Sequence, residues 1–458
     1  MTGTECNIVL IFRKKGGIPV AARETALGAL IACRRQKAWS DGILKEYVHR
    51  DQLDRREAAL ASQLCYGVLQ NRLLLDYYLG QLPRCRIRDL QPVVLDILRL
   101  GLYQILFLDK IPPSAAVNEA VEQGKRYANA RAAGLINGVL RSAIRQGGQL
   151  QQPQDLALLY SHPQALVELL RQELGEQMLE QVLQADNQAP ETVLQVNCLR
   201  ASDEAVQQSL EEAGGICTPH PWLEHCFLVS GAGGLERLEA FRAGLFYVQD
   251  AASRLAVQCA GIQPGMRILD SCGAPGGKTF AAAMELGGQG MVLSCDLHLH
   301  KLTSIENGAR RLGLDWIQTR QQDAKAVYPE LRDSMDVVLV DVPCSGLGII
   351  RKKPDIRYKD LEQIQELPAL QGQILYQQAQ YVKPGGVLLY STCTILRREN
   401  QEVVRAFLQE NPEFSPEPLP LPAALPQDSS GMLTLLPGQY ETDGFFICKL
   451  RRHACGTT

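Results

Sequence analysis

From Gly265 onward the chain alternates strand-like runs with helical stretches, and this alternation restricts its fold more than any other feature. The runs fall at Arg267–Asp270, Met291–Asp296, 317–322, Met335–Asp341 and 386–393. Parallel strands cannot be joined by a tight turn and need a crossover, usually a helix. The pattern therefore predicts an α/β, Rossmann-like parallel sheet with helices on both faces. Such a sheet binds ligands at the carboxyl ends of its strands. Three of the runs end in an acid (Asp270, Asp296 and Asp341), and Asp323 follows a fourth. A run at 444–450 is expected to close the sheet, and the Pro-rich stretch 412–437 is expected to be a surface excursion.

The preceding sequence differs in kind, so the chain is read as multi-domain. Residues 18–147 read as all-α: apolar residues recur at helical spacing over 21–34, 54–67, 93–108, 116–127 and 132–145. Pro112-Pro113-Ser114 breaks the chain, and Ser114 is expected to cap the next helix. A polar, Gln-rich linker at 146–154 leads to a small α+β module at 155–250. There, helical stretches at Gln164–Leu174 and 175–185 precede a strand-like run at 192–199 and a helix at Asp203–Glu212. The sheet domain is bounded at 251–452.

The net charge of −3 conceals an asymmetry. Residues 1–150 hold 22 Lys+Arg against 13 Asp+Glu, and the remainder holds 25 against 37. A basic first third suggests a polyanionic partner, although a solvated basic surface accounts for the charge equally well. The 14 cysteines contain no C-x-x-C pair and no zinc-type Cys/His cluster, so no metal is expected and the thiols are expected to be reduced in the cytoplasm. No apolar run approaches the length of about 18 residues that spans a membrane. The apolar patch at 8–12 is followed by basic residues instead of being preceded by them, and no small-residue cleavage site comes after it. Residues 1–17 are therefore read as a ragged N-terminus or a start codon placed too early, and not as a secretory signal.

The loop Asp270-Ser271-Cys272-Gly273-Ala274-Pro275-Gly276-Gly277-Lys278-Thr279 follows the first strand of the sheet and opens a helix. A nucleoside-triphosphate P-loop needs G-x-x-x-x-G-K-[ST], and Cys272 stands where its first glycine belongs. The dinucleotide pattern G-x-G-x-x-G is absent. An S-adenosylmethionine site agrees better, because glycines permit close backbone approach and an acid at the next strand end suits ribose hydroxyls. Asp296 occupies that place, and Asp323 is placed to meet the adenine amine. The plain alternative is a tight β–α turn with ordinary strand-end acids.

Asp341-Val342-Pro343-Cys344-Ser345-Gly346 ends the fourth strand, and Tyr390-Ser391-Thr392-Cys393-Thr394 ends the fifth. Either cysteine alone reads more simply as a small buried residue. Together, on adjacent parallel strands, two thiols and a carboxylate converge where a base would sit. Carbon 5 of cytosine is a poor nucleophile, and a thiolate added at carbon 6 makes it enamine-like, which splits one hard step into easier ones. A carboxyl group at N3 can stabilise the adduct, and a second residue can assist expulsion of the thiolate.

These motifs resemble the bacterial 16S ribosomal RNA cytosine-5 methyltransferases of the RsmB, or Sun/Fmu, type, from about Pro19 onward. The runs 99–106, Ile111-Pro112-Pro113, 116–121 and 136–141 resemble that family's NusB-like RNA-binding domain. Val196-Asn197-Cys198-Leu199-Arg200 resembles its RNA-recognition-like (RRM-like) segment, 248–253 the lead-in to its class I methyltransferase domain, and Asp443-Gly444-Phe445-Phe446 its closing strand. The resemblance implies that Cys272, Gly273, Ala274, Pro275, Gly276, Gly277, Lys278, Asp296, Asp323 and Asp341 bind S-adenosylmethionine. It implies that Cys393 is the nucleophile, that Cys344 assists product release and that Asp341 also faces the base. It further implies a cytoplasmic, monomeric enzyme acting on 16S ribosomal RNA, free or partly assembled. Gly273 replaces the usual Ala, a change expected to be small. Lys301 stands where Arg is common, a change expected to affect helix-surface contacts and to leave the ribose-binding acid intact.

A target base must leave its stack before a thiolate can reach carbon 6. Arg34, Arg35, Lys37, Arg84, Arg86 and Arg88 are candidate phosphate contacts in the first domain. Arg351, Lys352, Lys353 and Arg357, which follow the Cys344 loop, are expected to grip the RNA backbone near the site, although an exposed cationic loop would look the same.

Overall fold

The computed structural model describes residues 21–454 apart from 37, 38, 84, 148, 232 and 428. The readings of residues 1–17, Lys37 and Arg84 lie outside the described residues. The chain forms two compact units. One holds the described residues up to Asn187 together with Lys353–Tyr358, and the other holds Gln188–Lys352 and the described residues from Lys359 onward.

The first unit is helical. Helices Ala22–Gln36, Ser40–Arg50, Arg55–Gln70, Arg72–Gln81, Pro92–Phe107, Pro113–Tyr127 and Ala130–Gln146 bury Leu27, Ile31, Leu64, Leu75, Ile97, Leu98 and Leu140 in one core. Asp54 and Asn129 cap two of them by accepting from the N–H groups of Glu57 and Ala132, each at 2.9 Å. Ser114 does not cap its helix, which begins at Pro113 without a side-chain cap. A proline at the first position presets φ and lacks an N–H that the first turn would leave unpaired, so the prolines set this start. Helices Gln164–Leu174 and Glu176–Ala185 complete the unit.

The second unit opens with strands β1 (Thr192–Val196), β2 (Ile216–Pro219), β3 (Cys226–Ser230) and β4 (Phe246–Val248) in an antiparallel sheet of order β2-β3-β1-β4. With helices Asp203–Glu212 and Glu239–Arg242 this is a ferredoxin-like βαββαβ arrangement. Its inward residues Leu194, Val196, Phe227, Val229 and Phe246 pack on Val206 and Leu210 of the first helix.

The larger sheet contains β5 (Arg267–Asp270), β6 (Met291–Asp296), β7 (Ile317–Gln321), β8 (Met335–Asp341), β9 (Val382–Thr392), β10 (Phe414–Pro416), β11 (Met432–Leu435) and β12 (Phe445–Arg452). The order is β10-β12-β9-β8-β5-β6-β7, and β11 also pairs with β12. Strands β5 to β9 are mutually parallel, and β12 runs antiparallel to β9. Alternate residues fill two cores. Ile268, Val337, Leu339 and Leu389 face helices Ala251–Ala260 and Gly277–Leu286, while Leu269, Val338, Val340 and Leu388 face Leu367–Ala379 and Gln401–Glu410. Burial on both faces explains why β8 reads as a nearly unbroken apolar run. The Pro-rich stretch 412–437 is more than a surface excursion. It supplies β10 and β11 and buries Leu419, Leu425, Leu433 and Leu435, because its prolines avoid the ladder positions that need an N–H.

The cationic run after Cys344 is not an open loop either. Arg351 Nε lies 2.6 Å from Asp443, and Lys352 Nζ lies 2.9 Å from Asp250 and 2.6 Å from Asp443. Arg357 is 1% exposed within the helical unit. It donates to the carbonyls of Gln70 at 2.8 Å and Ser161 at 3.1 Å and to Asn187 Oδ1 at 3.1 Å. These three cations are consumed by internal acceptors distant in sequence. Arg34, likewise, pairs with the buried Asp96 at 3.1 Å, whereas Arg86 and Arg88 are exposed.

Replacing Arg357 by Met leaves several buried acceptors unpaired, each costing about 1–3 kcal/mol. Urea unfolding followed by helical circular dichroism is expected to show a loss of about 3 kcal/mol or more. Arg88→Met is expected to stay within about 0.5 kcal/mol of the parent.

Candidate active site

Strand order reverses around β5, whose neighbours are β6 and β8. The carboxyl ends at such a reversal open a crevice. The loop after β5 enters it and runs directly into helix Gly277–Leu286, whose first N–H groups have no partner within the helix and suit an anionic group.

The glycines of this loop are required first by the protein's own packing. A Cβ on Gly273 would fall 2.2 Å from Ser294 Oγ, and one on Gly276 would fall 2.4 Å from the Phe280 ring. Gly276 also has φ +115°, which other residues rarely adopt. Behind the loop, Thr279 Oγ1 lies 2.7 Å from both Asp270 Oδ2 and Ser294 Oγ. Asp270 is fully buried, and its other carboxylate oxygen has no hydrogen-bond partner among the described residues. Burial pushes its pKa up to about 6.

The next strand pair brings four of the expected residues together. Lys278 Nζ bonds Asp341 Oδ2 at 2.8 Å, and Ser391 Oγ donates to Asp341 Oδ1 at 2.8 Å. Cys344 Sγ and Cys393 Sγ are 3.2 Å apart. Burial alone would lower the Lys278 pKa, but the charge and hydrogen bond of Asp341 outweigh it, and the ammonium is also attracted to Cys393. The Cys344 thiol is pushed up as well. The hydrogen bond to Cys393, burial, and the charges of Cys393, Glu399 and Asp341 all raise its pKa, so it is a neutral thiol. Burial pushes the Cys272 thiol up to about 12, which leaves its backbone as its chemically useful part.

Asp296 and Asp323 stand at the adjoining ends of β6 and β7 on the same sheet edge. Asp296 Oδ1 accepts from the His298 N–H at 2.9 Å, and Lys301 Nζ lies 3.5 Å away. Lys301 therefore lies within ion-pair reach of this acid. Asp323 Oδ1 accepts from the Lys325 N–H at 3.0 Å. Sequence reasoning did not single out the residues that brace the site: Ser391 on Asp341, Thr279 and Ser294 on Asp270, and Glu399 behind both cysteines. Ser and Thr at strand ends and an acid in Arg397-Arg398-Glu399 carry no pattern that marks them in one sequence.

Gly273→Ala is expected to lower stability by about 1–3 kcal/mol, the usual cost of overpacking. Ser294→Ala in the same chain should recover most of it, and additive losses in thermal unfolding would reject the contact. Because the Asp270 pKa is raised, the folded chain holds this proton more tightly than the unfolded chain does. Its contribution is largest below about pH 4 and declines as pH rises through about 6. Asp270→Asn should remove that decline, so its unfolding free energy should gain on the parent by up to roughly 3 kcal/mol between pH 4 and 7.

Comparison with known proteins agrees with this layout. Three family models match in order: "NusB family" at residues 20–145, "Methyltr_RsmF/B-like, ferredoxin-like domain" at 162–236, and "16S rRNA methyltransferase RsmB/F" at 258–451. A Bacillus subtilis (strain 168) protein named "Probable ribosomal RNA small subunit methyltransferase B" is 37% identical over 94% of this chain and 99% of its own length. The ribosomal RNA small subunit methyltransferase B of Klebsiella pneumoniae (strain 342) is 34% identical over 86% of this chain and 90% of its own. Among solved structures, PH0851 superposes with a TM-score of 0.79 at 25% identity, covering 96% of this chain and all (100%) of that one. A methyltransferase homolog from Pyrococcus horikoshii superposes with a TM-score of 0.57 at 25% identity, covering 65% of this chain and 98% of that one. With that identity spread over nearly the whole length and all three modules in the same order, this chain belongs to the ribosomal RNA small subunit methyltransferase B family of S-adenosylmethionine-dependent methyltransferases.

Proposed function

We propose that this chain transfers a methyl group from S-adenosylmethionine to carbon 5 of a specific cytosine in 16S ribosomal RNA through a covalent adduct on Cys393. The observation that carries the reading is the pair of thiols 3.2 Å apart at adjacent strand ends, beside the Lys278–Asp341 pair. The residues around the β5 loop fit the cofactor. The unpartnered Asp270 oxygen suits a cationic group, the helix N-terminus at Gly277 suits a carboxylate, and the Asp296 and Asp323 carboxylates suit ribose and adenine donors. Cys272 to Lys278, together with Asp296, Asp323 and Asp341, would hold it. When bound, S-adenosylmethionine supplies an electrophilic methyl group.

In this reading the Lys278 ammonium favours the thiolate of Cys393, which adds to carbon 6 of the base. Asp341, held by Lys278 and Ser391, faces N3 as a carboxyl group carrying a proton, and stabilises the adduct by donating that proton to N3. Once carbon 5 carries the methyl, its proton leaves to solvent, and the electron pair of that C–H bond expels the Cys393 sulfur as a thiolate, breaking its bond to carbon 6. The neutral Cys344 thiol donates a hydrogen bond to the departing sulfur. Residues 18–147 and 155–250 engage RNA, and 251–452 perform the chemistry. The expected setting is a cytoplasmic monomer; among the described residues no helix is long and apolar enough to cross a membrane.

Methyl transfer from labelled cofactor to purified small-subunit RNA, read by bisulfite sequencing, should protect a single cytosine. Incorporation without protection would place the methyl on another atom, and incorporation only into transfer RNA would overturn the substrate. Cys393→Ala should bind cofactor normally and lose turnover. Cys344→Ala should accumulate a covalent protein–RNA adduct, seen as a shifted band in a denaturing gel. An adduct in Cys393→Ala but not in Cys344→Ala would exchange the two roles.

A further inference from the structure

Glu399 is fully buried six residues beyond Cys393, and its carboxylate contacts the chain next to each active-site thiol. Its Oε2 accepts from the N–H of Ser345, the residue after Cys344, at 2.9 Å, and from Gln371 Nε2 at 2.8 Å. Its Oε1 accepts from the hydroxyl of Thr394, the residue after Cys393, at 3.3 Å. Gln371 Nε2 also donates to the carbonyl of Pro343, the residue before Cys344, at 3.0 Å. Asn400 Oδ1 accepts from Thr392, the residue before Cys393, at 2.6 Å, and Asn400 Nδ2 donates to the Thr394 carbonyl at 3.0 Å. Ser345 Oγ and Thr394 Oγ1 are 2.7 Å apart, which joins the two loops directly. Tyr390 on β9 donates its hydroxyl to the Glu399 carbonyl at 2.6 Å, which fixes the acid against the strand that carries Cys393.

We propose that Glu399 is the positioning residue that holds the Cys344 and Cys393 thiols at their working separation and orientation. The proposal rests on the covalent reading above. An ionised carboxylate only accepts hydrogen bonds and has about four lone-pair directions, so one side chain can hold donors from two loops at once. Burying that charge is costly unless donors satisfy it, and the donors here come from both thiol-bearing loops and from helix Leu367–Ala379. Pulling the loops together therefore satisfies the charge, and releasing either loop leaves the charge or its donors unpaired. The same charge also helps to keep Cys344 neutral, beside the larger effects of Cys393 and of burial.

The test measures thiol geometry separately from turnover. A trivalent arsenical, phenylarsine oxide, binds two thiols at once only when they are held close together. Its affinity is measured on the full chain, and the part lost in Cys344→Ser is taken as the signal of this pair. Glu399→Ala is expected to weaken that signal at least about tenfold. A misplacement on the order of 1 Å costs about 100-fold in rate, so kcat for methyl transfer should fall by about that factor while KM for S-adenosylmethionine stays within about twofold. Glu399→Gln keeps one acceptor oxygen and should restore part of both losses. Should Glu399→Ala fail to fold, Gln371→Leu, which removes a donor shared by Glu399 and Pro343, is expected to give the same pattern at smaller amplitude. Unchanged arsenical affinity and unchanged kcat in these variants would overturn the proposal. Lost arsenical affinity would uphold the positioning role even if wild-type chain transferred no methyl to small-subunit RNA, and that last result would overturn the substrate reading instead.

Discussion

The parallel pairing of β8 with β9 is the constraint on which the rest of the site depends. The register sets Asp341 opposite Ser391, and from there each strand runs only a few residues before a cysteine. Backbone hydrogen bonds thus bring together two segments 49 residues apart in sequence and leave their thiols 3.2 Å apart. Strand β12, antiparallel on the far side of β9, keeps β9 from being an edge, so the strand bearing Cys393 is held from both sides. An edge strand would leave one row of its N–H and C=O groups unpaired.

Neighbouring charges then give the two thiols different surroundings. Lys278 is nearly buried while its partner Asp341 is 31% exposed, and a buried charge endures only when its partners and further hydrogen bonds satisfy it. Ser391 supplies one of them, and the ammonium still exerts its charge on Cys393. Cys344 lies within reach of two carboxylates and its partner thiol. Two residues of one type, a single hydrogen bond apart, thereby lie in different electrostatic surroundings. The glycine loop shows the same economy of space. Gly273 and Gly276 are small because Ser294 and Phe280 occupy the volume beside them, and the closeness of that packing keeps the loop's backbone in place at the crevice.

Charged residues were the least legible part of the sequence. Arg351, Lys352 and Arg357 read as an exposed cationic run suited to phosphates, yet Asp443, Asp250 and a cradle of carbonyls absorb them. Glu399 sits among other charges in sequence and is fully buried in the fold. Lys301, read as a change on the helix surface, reaches Asp296. A charge is placed by partners that are far away in sequence, and no local periodicity encodes those partners. The Pro-rich stretch after Pro412 misleads for a related reason. Composition suggests a loop, while pairing with β12 makes two short strands of it.

What the sequence determined by itself is what local physics controls. The alternation of strand and helix, the acids ending β5, β6 and β8, the glycine-rich turn after β5, and the cysteines beyond β8 and β9 were all legible, because side-chain periodicity, turn chemistry and strand length act over a few residues. Only the tertiary structure decided which cations remain free, which acid braces the two thiol-bearing loops, why residue 273 has no room for a methyl group, and that the two thiols meet 3.2 Å apart. Those outcomes depend on desolvation and on donors brought together from distant segments, and both come into being when the sheet closes.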